Sequence, residues 1–439
     1  MMKYNHNEVL HIIENTRRFG KVTGYEVSKH ILDQLGHPEQ GMPFVHVAGT
    51  NGKGSTTAFL CKLLEQTGKK VGMFTSPHLI EFEERIRING TKISKEDVTR
   101  LGNLLLETEF QLPPTMFDYC LAMAVLYFKE QNCDIVVMET GIGGLYDSTN
   151  ALGTPEVSII TKIGYDHTAV LGDTLKEIAT QKAGIIKKDA PLVHQTQAPE
   201  VEGVFKQTFL KKNGSLLGYH VVSTEDIKRI EHIEIKMQGN FQKENAATAV
   251  SAFRILLQKW EKTQNLYFTE EQIEAFVQTG LKETLWRGRM EILSEKPFLM
   301  VDGAHNGHGV HALAEGLKGL YPGEKFHFIM GVMADKDYEN MIEELLPLAI
   351  DFVTVTPESS RALQAKELAE CIRKKGVPAS HQADVKEVVK PFLPKYAKES
   401  VLSAQEKEDR TKHESKTIAF GSLYFIGEIE SLFLAGELA

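Results

Sequence analysis

The stretch FVHVAGTNGKGS, residues 44–55, decides the fold class of this chain. It begins as an apolar strand, and a helix with an apolar stripe follows it over residues 55–70. Gly49, Gly52 and Gly54 have no Cβ, so the loop between them can turn its N–H groups inward. The positive end of the helix, at Ser55, points to the same place, and Lys53 adds a charge. The sequence therefore predicts a loop that binds nucleotide phosphates.

This loop departs from the common phosphate-loop pattern G-x-x-x-x-G-K-[ST]. The position five residues before Gly52 holds Val47, and Gly54 occupies the place of the hydroxyl residue, which comes one position late at Ser55. In GTPases the hydroxyl after the lysine helps to hold Mg²⁺. We therefore expect other residues to hold the metal here.

Polar side chains near the ends of the next predicted strands can supply these ligands. Ser76 lies in TSPHL, Glu139 lies in METG, and Asp166 and His167 lie in GYDH. Sites in α/β proteins gather at the carboxyl ends of the strands, so we expect these groups to converge. A hydroxyl, a carboxylate and an imidazole together predict a site for one or two cations.

The composition is that of an ordinary globular protein. The chain has 439 residues, 42% of them hydrophobic and 25% charged, which is enough for two domains. Its net charge of −9 argues against a general affinity for nucleic acid. The four cysteines form no C-x-x-C pair, the N-terminus has no signal-peptide pattern, and no apolar run is long enough to span a membrane. We expect reduced thiols and a cytoplasmic protein.

Apolar strand-like runs alternate with helical patterns along most of the chain, which is typical of parallel sheets covered on both faces. We expect two doubly wound α/β domains. Residues 1–294 are predicted to form an ATPase domain with the phosphate loop, and residues 298–439 a smaller Rossmann-like domain. The short join LSEKP, 293–297, would let the domains face each other across a nucleotide. The charged run 397–416 is predicted to be a solvated loop.

A series of motifs occurs in one order: VAGTNGKGS, TSPHL, ETGIGG with DSTN, YDH, QKAGIIK, WRGRME, DGAHN and GSLY. In these motifs, from about residue 20 to 427, the chain resembles the folylpolyglutamate synthases and dihydrofolate synthases of the Mur ligase superfamily. The resemblance implies an ATP-dependent ligase that uses Mg²⁺, and we predict two magnesium ions in its site. ATP phosphorylates a substrate carboxylate, and the amine of L-glutamate then displaces the phosphate.

The resemblance also implies roles for individual residues. Lys53, Lys182 and His305 are the predicted catalytic residues, and Lys182 matches a lysine that the family carbamylates. On sequence alone, a surface lysine is the competing interpretation for Lys182, and a plain turn is the competing one for DGAHN. The implied nucleotide-binding residues of the loop are Asn51, Gly52, Lys53, Gly54 and Ser55, and Asn245 is the implied contact of adenine. Arg289 is implied to contact a phosphate, Asp302 the ribose and His305 the terminal phosphate. The implied magnesium ligands are Ser76, Glu139 and His167, and the implied substrate contacts are Phe117, Asp118, Tyr146, Asp147 and Ser148.

The chain departs from the family pattern on the substrate side. Leu145-Tyr146 replaces the usual Arg-Leu before Asp147, and Asp118 replaces a glutamate. The acceptor therefore stays open between a tetrahydrofolate and dihydropteroate. One rival function is a cell-wall Mur ligase, although the 48 residues before Gly49 are too few for the UDP-binding domain of those enzymes. A second rival is a regulatory P-loop ATPase. We expect a monomer.

Overall fold

A computed structural model describes residues 3–16, 24–393 and 415–437 of the chain. The chain divides into two compact units, as predicted. The first unit comprises Met1–Lys236 and Gln242–Leu285, and the second comprises Met237–Phe241 and Trp286–Ala439. Both are α/β units, each built on one sheet, so the predicted fold class is confirmed.

The sheet of the first unit has eight strands in the order β4-β3-β2-β5-β1-β6-β7-β8. The six strands from β2 to β8 in this order run parallel, and β3 and β4 add an antiparallel edge. Their bounds are β1 Phe44–Ala48, β2 Val71–Phe74, β3 Ile86–Ile88, β4 Thr91–Lys92, β5 Ile135–Glu139, β6 Val157–Ile160, β7 Leu192–Gln195 and β8 Tyr219–Val222.

Helices connect these strands and cover the sheet. Several begin at a Ser or Thr whose side chain accepts a backbone N–H of the first turn, as Ser94, Thr115 and Thr174 do. Their bounds are α1 His6–Asn15, α2 Glu26–Gln34, α3 Lys53–Glu65, α4 Lys95–Glu107, α5 Met116–Glu130, α6 Thr168–Leu171, α7 Leu175–Lys182, α8 Pro199–Asn213, α9 Thr224–Ile230, α10 Phe241–Gln264 and α11 Glu270–Glu283, with 3-10 turns at Phe82–Arg85, Ser148–Leu152 and Ala183–Ile185.

Two apolar clusters fill the first unit. One joins residues of α1, α2, α4 and α5 to the strands, and Phe74, Phe128 and Val136 are wholly buried in it. The other joins α7 and α8 to the sheet around Ile160, Ile178 and Phe205. Strands β1, β2, β5, β6 and β7 are buried along their whole length, as expected for a sheet between layers of helices.

The second unit has six strands in the order β13-β12-β11-β14-β10-β9, all parallel except β9. Phe328, Phe352 and Phe420 pack together in its core. The bounds are β9 Glu291–Glu295, β10 Phe298–Asp302, α12 Gly307–Leu320, β11 Phe326–Met330, α13 Tyr338–Leu345, β12 Ala349–Thr354, α14 Ala365–Lys374, β13 Ala379–His381, α15 Val385–Val389, β14 Lys416–Phe420 and α16 Leu423–Glu437, with 3-10 turns at Leu346–Leu348 and Lys390–Phe392.

Two predicted boundaries differ from the structure, and a third prediction cannot be compared with it. The expected join at 293–297 lies inside the hairpin of β9 and β10, and the two units divide instead between Leu285 and Trp286. The apolar pattern of YENMIEELLPLAI, residues 338–350, predicts one helix. The helix ends at Leu345 instead, because Pro347 cannot continue it and Ala349 begins β12. Residues 397–414 of the charged run lie outside the described residues, and Lys416 begins β14.

None of the helices in the described ranges is both long enough and apolar enough to cross a membrane. All four cysteines are free thiols, and Cys61 and Cys120 are buried in α3 and α5.

The sheet register brings the predicted site residues of the first unit to one edge. Phe74 pairs with Met138, Val47 with Glu139, and Ala48 with Ile160. The carboxyl ends of β2, β5, β1 and β6 therefore lie side by side. The phosphate loop leaves from β1, so its neighbours on the sheet are the segments that follow β5 and β6.

Candidate active site

The phosphate loop joins the end of β1 to the start of α3, as predicted. Gly52 has φ +87° and is the last residue before α3. A Cβ at Gly52 would lie 2.4 Å from Asn245 Oδ1, and one at Gly49 would lie 1.8 Å from Thr161 Oγ1. Only glycine permits such close approaches, so the loop has its shape because these two positions lack side chains.

The first turn of α3 presents donors at the loop. In an α-helix the first N–H groups, here those of Lys53, Gly54 and Ser55, have no acceptor within the helix. Ser55 Oγ is buried and has no hydrogen-bond partner among the described residues. Backbone donors, a buried hydroxyl and the positive helix end all suit an anion, so these residues fit a nucleotide phosphate.

Two lysines meet at one carbonyl of the loop. Lys182 Nζ donates to Gly49 O at 2.7 Å, and Lys53 Nζ donates to the same oxygen at 3.2 Å and to Thr50 O at 3.3 Å. Lys182 is only 4% exposed, which rules out the surface interpretation of this residue. Burial and the nearby charge of Lys53 lower the pKa of Lys182 to about 7. Lys182 therefore holds a neutral amine in a large fraction of molecules near neutral pH.

Two of the three predicted magnesium ligands lie together. The backbone N–H of Ser76 is 3.4 Å from Glu139 Oε2, and Lys53 Nζ is 3.9 Å from Glu139 Oε1. His167 directly precedes α6 and has a left-handed conformation, with Nε2 4.0 Å from Asp166 Oδ1. Within the described ranges, no three side chains among His, Cys, Asp and Glu are grouped closely enough to hold a metal. The hydroxyl of Ser76 and the carboxylate of Glu139 are oxygen donors of the kind that Mg²⁺ prefers.

Asn245 lies against the phosphate loop. Its Oδ1 accepts from Gln195 Nε2 at 2.9 Å, and its Nδ2 donates to Gln242 Oε1 at 3.0 Å. One N–H and one lone pair of the amide are not used by these two bonds. The side chain thus supports the loop at Gly52, a role that the sequence did not reveal. Its predicted contact with adenine stays a prediction.

Two of the predicted substrate residues, Asp118 and Ser148, are joined by a hydrogen bond. Asp118 accepts from the hydroxyls of Ser28, Ser148 and Thr115 and from Thr115 N, so it fastens α5 to α2 and to the 3-10 turn at Ser148. The ring of Phe117 packs against that of Phe74, with 5.7 Å between the ring centroids. The structure therefore gives Asp118 and Ser148 a bracing role at this edge of the sheet.

Asp147 is also buried, and it fixes the loop that follows β5. It accepts from Ile142 N at 2.8 Å and from Thr149 Oγ1 at 2.5 Å, and burial raises its pKa. Thr149 Oγ1 in turn lies 2.7 Å from Nε2 of the buried His46 on β1. The neighbouring side chain of Tyr146 is 57% exposed, so among the predicted substrate residues it is the one most open to solvent.

In the second unit, Arg289, Asp302 and His305 lie around one tight turn. Asp302 is buried and accepts from Met290 N at 2.8 Å and from Ala304 N at 2.7 Å. A Cβ at Gly303 would lie 2.2 Å from a guanidinium nitrogen of Arg289, and His305 Nδ1 lies 2.8 Å from Gly303 O. The turn thus uses the aspartate of DGAHN as well as the glycine. The predicted ribose contact of Asp302 stays a prediction.

Comparisons with known proteins agree with this organisation. Residues 47–253 match the family described as Mur ligase middle domain, and residues 288–402 match Mur ligase, glutamate ligase domain. The chain is 34% identical over 441 residues to the dihydrofolate synthase/folylpolyglutamate synthase of Bacillus subtilis, which covers 95% of this chain and 96% of that protein. It is 31% identical to the folylpolyglutamate synthase of Lacticaseibacillus casei, over 82% of this chain and 87% of that one.

Solved structures resemble the whole chain. A folylpolyglutamate synthase from Thermotoga maritima has a TM-score of 0.75 at 26% identity and covers 99% of this chain and 98% of its own. E. coli FolC in complex with DHPP and ADP has a TM-score of 0.80 at 24% identity, over 100% of this chain and 99% of that chain. At 24% identity, the similarity to E. coli FolC is evidence for the fold alone.

Proposed function

The chain belongs to the folylpolyglutamate synthase and dihydrofolate synthase family of Mur ligases, and on that premise we propose that it joins L-glutamate to a folate at the expense of ATP. A tetrahydrofolate is the proposed acceptor, with dihydropteroate as a second one. The observation that carries this function is the joint placement of the phosphate loop, Glu139 and Lys182 at one sheet edge, in a chain that matches the relatives over nearly its whole length.

The chemistry needs an activated carboxylate. An oxygen of the folate carboxylate attacks the γ-phosphorus of ATP, ADP leaves, and an acyl phosphate forms. The amine of glutamate then attacks the acyl carbon, phosphate leaves and a proton is released. The N–H groups at the start of α3 and the ammonium of Lys53 lie where they can offset the charge of the transferred phosphoryl group. Asn245, in the first unit, is the proposed contact of adenine. Arg289 and His305 are proposed to bind nucleotide phosphate by the donors of their side chains.

We assign Mg²⁺ to Ser76, Glu139 and His167, where it would neutralise phosphate charge. The position of the Glu139 carboxylate, beside Lys53 and the backbone of Ser76, supports this assignment. Carbamylation of Lys182 belongs to the same proposal, because an anion at that position would balance the charge of the cations. The low pKa of Lys182 supports it.

Replacing Glu139 by glutamine tests the magnesium assignment. We expect the Mg²⁺ concentration for half-maximal activity to rise by about tenfold or more, since groups that hold or orient a metal typically contribute at least this much. A magnesium titration of initial rates measures it. Glu156→Gln is the matched control, because Glu156 forms an ion pair with Lys259 away from the phosphate loop. A titration curve of Glu139→Gln that overlays the parent curve would remove Glu139 from the site.

Product analysis tests the function itself. Purified protein is incubated with ATP, Mg²⁺ and glutamate, together with tetrahydrofolate in one reaction and dihydropteroate in another. We expect ADP and phosphate to form only when a folate and glutamate are both present, and mass spectrometry to find the folate heavier by one glutamyl residue. A regulatory ATPase would release phosphate without glutamate. A cell-wall ligase would need a UDP-linked acceptor instead.

The cellular setting is part of the proposal. Four free thiols in the described chain suit a reducing compartment, and we place the enzyme in the cytoplasm. It is proposed to act as a monomer, which sedimentation at assay concentration would test.

A further inference from the structure

Residues 286–290 form the turn that carries Arg289, and the second unit holds this turn by its backbone. Gly288 O accepts from Gly303 N at 2.9 Å, and Gly288 N donates to Glu291 Oε2 at 2.7 Å. Met290 N donates to Asp302 Oδ2 at 2.8 Å. Arg289 therefore extends from a backbone that is fixed on both sides.

The conformation of this turn is one that the sequence does not favour locally. Met290 has φ +46°, in the left-handed region that residues other than glycine and asparagine rarely adopt, and its side chain is wholly buried. Such a conformation persists only where the surrounding structure imposes it. Contacts that hold the turn are thus needed to keep Arg289 in place.

One of these contacts is an ion pair between Arg287 and a buried glutamate of α16. Arg287 Nη2 lies 2.5 Å from Glu430 Oε2, and the Glu430 side chain is 0% exposed while that of Arg287 is 41% exposed. Arg287 Nε also lies 3.9 Å from Glu291 Oε1. Burying a carboxylate is costly, and apolar residues in place of both members of a buried ion pair often give equal or greater stability. Stability alone is therefore a poor explanation for a glutamate at this position.

We propose that Glu430 is a positioning residue for nucleotide binding, which acts through Arg287 to hold the turn and so to aim Arg289. Arg287 and Arg289 flank Gly288, whose carbonyl also accepts from Arg289 Nη1 at 3.1 Å. The ion pair holds Arg287, the residue before Gly288. Arg289, whose guanidinium binds phosphate in the proposed function, is the residue after it. This inference rests on the proposed function, because it takes Arg289 as a nucleotide contact.

The test is Glu430→Gln, which removes the charge and keeps the shape. We expect the affinity for ADP, measured by calorimetric titration, to fall by roughly tenfold, as is typical when a group that orients a binding residue is lost. The KM for ATP should rise by a similar factor, and the KM for glutamate should not change. The melting temperature should change little, because the Arg287 side chain that loses its partner is 41% exposed and keeps contact with water. Arg254→Gln, which breaks an exposed pair with Glu270 in the first unit, is the matched control and should leave ADP binding unchanged.

A double-mutant cycle separates this inference from the function on which it rests. Arg289→Ala should weaken ADP binding, and adding Glu430→Gln to Arg289→Ala should weaken it no further. If Arg289→Ala binds ADP as the parent does, the nucleotide role of Arg289 is wrong. If Arg289→Ala binds weakly while Glu430→Gln binds normally, or if the two effects add, the positioning role is wrong. Should Glu430→Gln fail to fold, Arg287→Lys answers the same question, since it keeps the charge and alters the reach of its donors.

Discussion

Replacing Lys53 by alanine is expected to lower turnover at saturating ATP by about 10²–10³-fold, the usual effect of losing one group that stabilises a transition state electrostatically. The ammonium of Lys53 lies 3.2 Å from Gly49 O and 3.9 Å from Glu139 Oε1. It is thus the positive charge at the point where the phosphate loop meets the predicted metal carboxylate. A charge fixed there acts most strongly on the phosphoryl group as it transfers.

The variant is expected to have a second effect, on Lys182. The charge of Lys53 is one of the causes that lower the pKa of Lys182, so its removal should raise that pKa. The Lys182 amine would then be protonated over a wider pH range. We therefore expect the activity of Lys53→Ala to rise as the pH is raised, so that part of the lost activity returns. The activity of the parent should rise with pH in the same way, but over a lower pH range.

Lys62→Ala is the matched control for Lys53→Ala. Lys62 lies on the same helix and pairs with Glu65, so its loss changes the net charge equally without touching the loop. Steady-state rates of the three proteins, each at saturating ATP and over a range of pH, provide the measurement. A Lys53→Ala enzyme that turns over within a few-fold of Lys62→Ala would contradict the assignment of the loop.

The phosphate loop could be predicted from sequence because its determinants are local. Three glycines, a lysine and a strand–helix junction lie within a dozen residues, and the structure places them as expected. The unbroken apolar strands likewise predicted a covered parallel sheet. The helix predicted from residue 338 onward is too long, because the apolar pattern continues through Pro347 into β12.

The partners of the buried polar residues could not be predicted in this way. Asp118 and Ser148 are thirty residues apart, and His46 and Thr149 more than a hundred, yet each pair is joined by a hydrogen bond. Residue type shows that a buried aspartate needs donors, but only the packing decides which donors it has. The same holds for Lys182, whose burial beneath the loop depends on how α7 meets β1.

Lys182→Ala is expected to be nearly inactive, and the activity of the parent enzyme is expected to depend on carbon dioxide. In the proposed modification the neutral amine of Lys182 attacks carbon dioxide, an N–C bond forms, and a proton is released to give an anionic carbamate. An ordinary lysine, with a pKa near 10.5, has little neutral amine at pH 7. Burial and the charge of Lys53 lower the pKa of Lys182 to about 7, which makes the reactive form abundant.

The direction of the pH dependence follows from this pKa. Above about pH 7 the amine is mostly neutral and can take up carbon dioxide, and below it the ammonium form cannot. Stripping bicarbonate from the buffer should therefore lower activity at pH 8, and adding it back should restore activity. At pH 6 added bicarbonate should restore much less. Mass spectrometry after chemical trapping of the carbamate would locate it on Lys182.

A matched control exists on the same helix. Lys176 is an exposed residue of α7, and Lys176→Ala should keep the activity of the parent and its response to bicarbonate. Small carboxylates such as acetate should partly restore Lys182→Ala, because they can supply the missing anion beside the loop. Lys182→Ala also removes the hydrogen bond to Gly49 O, so a structural defect alone would lower activity without rescue by acetate. A Lys182→Ala enzyme that ligates glutamate as fast as the parent would show that Lys182 is not needed for the reaction. A parent indifferent to bicarbonate at pH 8 would show that Lys182 acts as a plain amine that supports the phosphate loop.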